Sequence, residues 1–261
     1  MEFEEIINSK NGDEIDLKDL KFNPTAILPL LCECKNKNFK VDNNVNAFEY
    51  LENILMEDIL FSGLPKSRNE SDEADFLSRY VEKLDSEYGS YFVLRHIISE
   101  LANNVYDHSN IGNVEVDSFI LSKFHHNHKK LDVTVIDDGL SIPGLFEKSN
   151  VDFENDYQAI EKAIGTFSTV STTAYERGNG LRTIVRLVAE GNDGEILIVS
   201  RNGCVHITGE KYWYYLLGEE HKFNGTLVSI RLNKYEVQNI YELLEPQKVN
   251  NYKINGVIHD Y

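Results

Sequence analysis

The order of the predicted secondary-structure elements indicates an α+β fold, with helices on one face of a mixed, mostly antiparallel sheet. The first observation is a helix at 91–108, in which apolar side chains recur at steps of three and four residues. The second is a pair of alternating strands at 114–124 and 130–136, joined by a short polar segment. The third is a glycine-containing stretch that leads into another helix at 179–190 and then into three strands, at 195–200, 204–208 and 226–232.

The N-terminal part of the chain predicts a smaller α/β region. An alternating run at 14–22 and the short segment 39–41 indicate strands, whereas 25–34 and 47–59 have helical patterns. The polar stretch KSRNESDEAD at 66–75 then has the composition of a linker, and it is followed by a short predicted helix.

These patterns divide the chain into four parts. Residues 1–65 form the small α/β region, and residues 66–89 form the linker and a lead-in helix. Residues 90–235 form the main domain, and residues 236–261 are a C-terminal extension. A region of about 65 residues is marginal for independent folding, so we expect most of the core in the main domain.

Composition excludes several classes of function. The formal net charge is −17, and such a charge repels the phosphate backbone of nucleic acids. No apolar stretch approaches the twenty or so residues that a membrane helix needs. The first residues lack the basic and apolar regions of a secretory signal, and the three cysteines do not make a disulfide framework. We therefore expect a cytoplasmic protein that binds neither nucleic acid nor membrane.

Polar side chains follow one stripe of the 91–108 helix. Glu100, Asn104 and His108 are spaced by four residues, beside the apolar stripe that anchors the helix on the core. Amide and carboxylate oxygens are ligands that magnesium accepts, and a carboxylate one turn away can deprotonate a water or hydroxyl. A solvated helix face is the alternative interpretation of the same spacing.

A buried strand that ends in an acidic residue and a tight loop is the second candidate site. The segment VTVIDDGLSIPG places Asp137 at the strand end, with Gly139 just after it. A buried aspartate accepts hydrogen bonds from an exocyclic amine such as that of adenine, and a glycine lets the backbone approach a flat base. An ordinary Asp-Gly turn remains the alternative.

Two further segments contain glycine next to regular structure. In ERGNGLRTI, Gly178 and Gly180 precede a helix whose first amides can hold phosphate oxygens. No Gly-Lys-Ser/Thr follows, so this is not a Walker loop. In GTLVSIRL, a glycine and Thr226 enter a strand, a pattern that a core hairpin also explains.

Taken together and in this order, the four segments resemble the motifs of one ATPase superfamily. SELANNVYDH is similar to the N box of the gyrase, heat-shock chaperone, histidine kinase and MutL (GHKL) superfamily. VIDDGLSIPG and RGNGL resemble its two glycine boxes, and GTLVSIRL resembles its closing Gly-Thr strand. The resemblance covers about residues 90–233 and implies a Bergerat-type α/β sandwich that binds ATP and Mg²⁺.

The resemblance also implies a role for each matching residue. Asn104 would coordinate Mg²⁺, and Glu100 would be the catalytic general base. Asp137 would recognise the adenine amine. The remaining nucleotide-binding positions lie in the glycine boxes and the closing strand: Gly139, Ser141, Ile142, Gly178, Asn179, Gly180, Leu181 and Thr226.

Two features of the resemblance concern loops. The first glycine box usually has a second glycine where this chain has Ser141, and serine adopts a positive φ less easily. The segment 145–177 corresponds to the lid over the nucleotide in the superfamily, and its end is rich in threonine and serine. We therefore expect a locally different first loop and a nucleotide-ordered lid.

Within the superfamily, the chain is most similar to compact anti-sigma-factor kinases. The upstream segment DLKDLKFNPTAILPLL resembles a STAS domain, the fold of the partners of those kinases, and places Thr25 where the phosphorylated residue lies. An ordinary strand–helix unit with a threonine near the helix start is the alternative. No separate helical hairpin with a phospho-acceptor histidine is apparent, so a conventional histidine kinase is not expected.

The sequence therefore predicts a magnesium-dependent ATP-binding protein. It would hydrolyse ATP or phosphorylate a serine or threonine of a protein partner, a STAS-like protein or another regulator. The alternative is a non-catalytic switch in which ATP controls association with that partner. A homodimer is compatible with either function.

Overall fold

The computed structural model describes residues 27–29, 31–32, 35, 40–41, 45–46, 59–64, 70–106, 116–165, 180–219, 222–245 and 256–260. Six α-helices lie within these ranges: α1 (Glu70–Val81), α2 (Tyr91–Asn104), α3 (Ile142–Lys148), α4 (Asp156–Gly165), α5 (Gly180–Val185) and α6 (Ile240–Leu244). A π-helical turn, Arg186–Glu190, continues directly from α5.

The strands form one large sheet and one short pair. The short pair is β1 (Lys40–Val41) and β2 (Val45–Asn46). The large sheet has eight strands in the order β10-β8-β7-β6-β9-β5-β4-β3. Their bounds are β3 (Ile59–Gly63), β4 (Ser118–His125), β5 (Lys130–Asp137), β6 (Glu195–Arg201), β7 (Gly203–Thr208), β8 (Lys211–Leu216), β9 (Phe223–Asn233) and β10 (Gly256–Asp260).

The strand pairing confirms the predicted fold class. Every pair in the large sheet is antiparallel except the edge pair β10 and β8, which is parallel. The predicted hairpin is formed by β4 and β5, joined by a single 3₁₀ turn at His126–His128. The sheet is therefore mixed and mostly antiparallel, and its outer strands β3 and β10 come from outside residues 90–235.

The main helices cover one face of this sheet. Val133 and Val135 of β5 belong to the same buried cluster as Leu94 and Ile97 of α2. On the same face the hydroxyl of Tyr80, in α1, lies 3.0 Å from Oγ of Ser122 in β4. The core therefore lies between the helices and this face. Within the described residues, no helix is both long enough and apolar enough to span a membrane.

The opposite face of the sheet is also buried near its centre. Phe119 is 5% exposed and Ile136 is fully buried, although both point away from the main helices. Nζ of Lys35, from a helical stretch near the N-terminus, lies 5.2 Å from the centre of the Phe119 ring and pairs with the carboxylate of Asp117. Part of the N-terminal region therefore contacts the second face.

Several predicted elements differ from the observed ones. The segment 145–177, which is predicted to be the lid, contains most of α3 and all of α4, which bury Phe146 and Ile160; residues 166–177 lie outside the described part, and the lid stays a prediction. Ile59, the last residue of a predicted helix, begins strand β3 because this segment pairs with β4. The helix predicted from Phe76 begins earlier, at Glu70, inside the predicted linker.

Candidate functional site

Helix α2 fixes the position of the predicted catalytic and metal-binding side chains. Oγ of Ser90 accepts a hydrogen bond from the backbone N–H of Val93, which caps the start of the helix. The apolar stripe of α2, which includes the fully buried Ile97, then anchors the helix on the sheet. Glu100 and Asn104 project from a neighbouring stripe, one turn apart.

Glu100 and Asn104 both face the backbone of Gly180, the first residue of α5. A β-carbon placed on Gly180 would lie 2.5 Å from Oε2 of Glu100 and 3.6 Å from Oδ1 of Asn104. The first distance is shorter than van der Waals contact allows, so a side chain at this position would require the Glu100 carboxylate to move. The structure therefore brings together three of the residues that the sequence assigned to one site.

The amide of Asn104 has an unmatched hydrogen-bonding group. Its Nδ2 atom is buried and has no hydrogen-bond partner among the described residues. Oδ1 of Asn103 and the hydroxyl of Tyr106 are unmatched in the same way, so the end of α2 leaves three buried polar atoms for water or a ligand to complete. Asn104 lies on the same helical stripe as Glu100.

The predicted base-recognition residue lies at the end of β5. Asp137 is opposite Thr226 of β9 and is only 6% exposed. Its side chain lies on the same face as Val133 and Val135, because alternate residues of a strand share a face. Asp137 and the stripe of α2 therefore both lie on the helix-covered side of the sheet.

Burial alters the acidity of Asp137. Desolvation raises the pKa of its carboxyl group to about 7, and the neighbouring charge of Asp138 adds to the shift. A hydrogen bond of 3.0 Å from the backbone N–H of Gly139 to Oδ1 acts in the opposite direction. The carboxyl group thus titrates close to neutral pH, where a small change in its surroundings changes its charge.

Ser141 has a different role from the glycine that it replaces in the resembling motif. Its φ of −62° is ordinary extended backbone, and its Oγ accepts a hydrogen bond of 3.2 Å from the N–H of Gly144. Ser141 is therefore the N-cap of α3. No positive φ is required at Ser141, and the prediction that this loop differs from the superfamily motif stays a prediction.

Ser200 joins the loop after β5 to the closing strand, and the sequence did not identify it. This fully buried side chain accepts a hydrogen bond of 3.0 Å from the N–H of Ile142 and donates one of 2.9 Å to the carbonyl of Gly225. Its Oγ also lies 3.1 Å from Oγ1 of Thr226. The only sequence signal was its place in the alternating pattern of β6.

Gly225 allows the closing strand to approach Asp137. Its φ is +138°, a conformation that L side chains rarely adopt. A β-carbon at this position would overlap the carbonyl oxygen of Asp137 and lie 3.0 Å from Cα of Asp138. The backbone conformation and the close approach to Asp137 therefore require glycine at position 225, independently of any ligand.

Only some of the remaining predicted positions lie among the described residues. Leu181 is half-buried and packs against the core. Gly178, Asn179 and Thr25 lie outside the described residues. Of the predicted phosphate-side positions in the second glycine box, Gly180 and Leu181 lie among the described residues. The predicted base-side positions Asp137, Gly139, Ser141, Ile142 and Thr226 are all described.

Comparison with known proteins adds little to this geometry. No family model matches the chain, and no curated protein matches it. Among solved structures, the chain is similar to the histidine kinase domain of the blue-light activated histidine kinase from Erythrobacter litoralis EL346. The sequence identity is 15% and the TM-score is 0.33, and the match covers 67% of this chain and 66% of that one. At these values the similarity carries no conclusion about activity, substrate or partner.

Proposed function

We propose that this protein is a magnesium-dependent ATP-binding protein that hydrolyses ATP or transfers its terminal phosphate to a serine or threonine of a protein partner. The observation that carries the proposal is the convergence of Oε2 of Glu100 and Oδ1 of Asn104 on the backbone of Gly180. Two side-chain oxygen atoms face a backbone position where a β-carbon would crowd the Glu100 carboxylate. This arrangement suits the phosphate end of a bound nucleotide.

The base end of the nucleotide would lie against Asp137. An ionised carboxylate accepts a hydrogen bond from the exocyclic amine of adenine. Oδ1 of Asp137 already accepts from the N–H of Gly139, so we assign the amine to Oδ2. Thr226, which lies opposite Asp137 and beside Ser200, would support this end of the ligand.

The donor set around Asn104 fits magnesium. The ion keeps several waters and takes one or two protein oxygens together with phosphate oxygens. Asn104 and Glu100 supply such oxygens, and no cluster of three or more histidine, cysteine or acidic ligands occurs within the described ranges. Asn104 would hold the ion, which would neutralise phosphate charge when bound. A complete protein cage is not needed for an ion that arrives with a triphosphate.

Glu100 is the group that we assign to proton transfer. Its carboxylate lies against Gly180, where the terminal phosphate would be bound, so it can orient and deprotonate an attacking water or hydroxyl. If Glu100→Ala abolishes phosphate release and transfer but keeps ATP binding, the catalytic assignment is supported. If signalling through the partner persists in that variant, the non-catalytic switch is the better description.

Calorimetric titration with ATP, with and without Mg²⁺, tests the proposal directly. We expect Mg²⁺ to increase the affinity of the wild-type protein for ATP. In the presence of Mg²⁺, Asn104→Ala should bind ATP about tenfold more weakly, a difference of ~1.4 kcal/mol. Asn103→Ala is a comparison variant, because it removes the same side-chain amide from the neighbouring position of α2, outside the assigned site. Equal Mg²⁺ dependence in the wild type and Asn104→Ala would exclude this metal assignment.

We also propose a protein partner, which is either a STAS-like protein or another regulator. Thr25 is our candidate acceptor if phosphate is transferred within the chain. Incubation with γ-labelled ATP and mapping of the labelled residue tests this, with Thr25→Ala as the control. Label at a different residue, or label that survives in Thr25→Ala, would contradict the assignment.

A further inference from the structure

His96 extends the polar stripe of helix α2 by one turn towards its start. It precedes Glu100 by four residues, and Glu100 precedes Asn104 by four, so the three side chains follow one line along the helix. The stripe faces the next helix in the site: Nε2 of His96 lies 3.1 Å from Oγ1 of Thr183 in α5. None of the roles assigned above uses His96.

The hydroxyl of Thr183 lies within hydrogen-bonding distance of two groups. It is 2.9 Å from the carbonyl of Gly180, which can only accept, and 3.1 Å from Nε2 of His96. With the hydroxyl proton on the Gly180 carbonyl, Nε2 of His96 is the donor to Thr183, and we assign the hydrogen bonds in this way. Burial holds the pKa of His96 below its ordinary value, and the ring is neutral at neutral pH. A neutral ring that is hydrogen-bonded to the next helix suits a positioning group.

Two contacts therefore fix α5 against α2. His96 contacts Thr183 through a hydrogen bond, and Glu100 contacts Gly180 through close packing, with 2.5 Å between its Oε2 atom and a β-carbon placed on that glycine. A step of four residues along α2 is about 6 Å, and a step of three along α5 is about 4.5 Å. Contacts at both ends of such a span fix the register of the two helices as well as their separation.

We propose that His96 is a positioning residue, which acts through Thr183 to hold Gly180 in register with Glu100 and Asn104. The inference rests on the function proposed above, because it concerns the phosphate end of the same site. Loss of the His96–Thr183 hydrogen bond allows α5 to shift along α2 and moves the Gly180 backbone away from the two oxygen donors. Around the base end, Ser200 holds the backbones of Ile142 and Gly225 through hydrogen bonds that do not involve α5, so we expect this end to be unaffected.

The test uses pairs of variants that remove or keep the hydrogen bond. His96→Leu removes the donor, whereas His96→Gln keeps an N–H at a similar distance along the side chain. Thr183→Val removes the hydroxyl at nearly constant volume, whereas Thr183→Ser keeps it. ATP turnover and the gain in ATP affinity on adding Mg²⁺ are measured for each variant, together with adenosine affinity as a readout of the base end.

We expect His96→Leu and Thr183→Val each to lower turnover by about tenfold or more, because a displacement on the order of 1 Å has effects of this size. The Mg²⁺-dependent gain in ATP affinity falls in parallel, whereas adenosine affinity stays within about twofold. The double variant is no worse than either single variant, because both changes break one interaction. His96→Gln and Thr183→Ser restore most of the wild-type behaviour.

The possible failures are distinguishable. If the wild-type protein does not bind ATP, the proposed function falls, and the positioning role falls with it. If the wild-type protein binds ATP with Mg²⁺ but His96→Leu matches it in turnover and Mg²⁺ dependence, only the positioning role is overturned. The positioning role is also overturned if the losses of turnover in the two single variants multiply in the double variant. It is overturned as well if His96→Gln loses as much turnover as His96→Leu. A lowered melting temperature with unchanged turnover identifies a purely structural histidine.

Discussion

At the scale of single residues, the burial of Asp137 would link stability to the proposed recognition of adenine. Its pKa is raised from 3.8 to about 7 because the charged form is buried. Between these two values the folded state holds a proton that the unfolded state releases, so stability from this group is lost as the pH rises towards 7. Above pH 7 the folded protein carries a buried carboxylate, which is the form that an adenine amine favours.

Proton release should therefore accompany ATP binding near neutral pH. Because the amine favours the ionised carboxylate, lowering the pH from 7.5 to 6 should weaken ATP binding by roughly tenfold through Asp137. Calorimetry in buffers of different ionisation enthalpy measures the released proton. Asp137→Asn is the control, since it has no proton to lose. A pH profile that is the same in both proteins would contradict the role of Asp137.

Asp137→Asn should stabilise the ligand-free protein, although it weakens ATP binding. At pH 8, Asp137→Asn removes a buried negative charge and should raise the free energy of unfolding, while ATP affinity decreases. At pH 5 the wild-type side chain is itself neutral, and the difference in stability should shrink. Urea unfolding at the two pH values measures both effects. A larger gain at pH 5 than at pH 8 would exclude this explanation.

Gly225 is the residue at which we expect the largest steric effect. Gly225→Ala places a methyl group against the carbonyl of Asp137 and forces alanine into a φ of +138°. Strain and overlap together should cost more than about 3 kcal/mol of folding stability. Gly209→Ala is a useful comparison, because that glycine also has a positive φ but no atom lies within 4 Å of the added carbon. Thermal unfolding measures both losses. Because the φ of +54° at Gly209 is also less strained for alanine than +138°, Gly225→Ala should lose more, and equal losses would contradict this expectation.

At the scale of secondary-structure elements, side-chain hydroxyls connect β6, β9 and the start of α3. Ser200 links these three elements on the helix-covered face. Ser229 and Thr134 form another buried hydroxyl pair, 2.7 Å apart, on the opposite face. The two serines are therefore matched in chemistry and burial, but only Ser200 lies beside the proposed adenine end.

Alanine variants of the two serines should distinguish an effect on folding stability from an effect on ATP binding. Ser200→Ala leaves the N–H of Ile142 without its acceptor, and should cost about 1–3 kcal/mol of stability and weaken ATP binding. Ser229→Ala should cost stability alone. Chemical unfolding and ATP titration of both variants provide the comparison. If Ser229→Ala weakens ATP binding as much as Ser200→Ala does, the effect is not local to the site.

Elements with clear periodicity could be predicted from the sequence, and elements defined by distant contacts could not. The β4–β5 hairpin was predicted because alternation and the polar turn are local signals. Strand β8, KYWYYL, was missed because its run of aromatic residues does not alternate, and its pairing with β7 and β10 defines it. Helix α4 was assigned to the lid by resemblance, although Ala159, Ile160 and Ile164 give it a buried face.

In the candidate site, residues on periodic elements could be predicted from the sequence, and contacts between distant segments could not. Glu100, Asn104 and Asp137 were found because each lies on a strongly periodic element. Ser200 was not found, since a serine within a strand has no local feature that shows which distant backbone groups it will bind. The proximity of Gly225 to Asp137 depends on the register of two strands far apart in sequence, which a local pattern does not contain.

At the scale of the whole molecule, the large sheet extends beyond the predicted main domain. Strand β3 covers one edge of β4, and the hydroxyl of Tyr80 in α1 donates a hydrogen bond of 2.9 Å to the carbonyl of Leu60. Phe61 also stacks on Phe119 with 5.6 Å between ring centres. The small N-terminal region and the main domain are therefore joined through a shared sheet edge.

Truncation should show where the folding unit begins. A chain that starts at residue 66 lacks β3 and exposes the edge of β4, which favours association between chains. We expect it to unfold at a lower temperature and to aggregate more than a chain that starts at residue 57. Thermal unfolding and light scattering measure the two effects. Equal stability of the two chains would show that the predicted boundary at residue 65 is the physical one.

The serine cap of α3 has a consequence for binding kinetics. Because Oγ of Ser141 and the buried hydroxyl of Ser200 hold this loop in the ligand-free protein, it has little chain entropy left to lose when a nucleotide arrives. A flexible glycine loop must first become ordered, whereas hydrogen bonds already order this loop in the ligand-free protein. Encounter by diffusion, and not loop rearrangement, should then set the association rate at the Asp137 end.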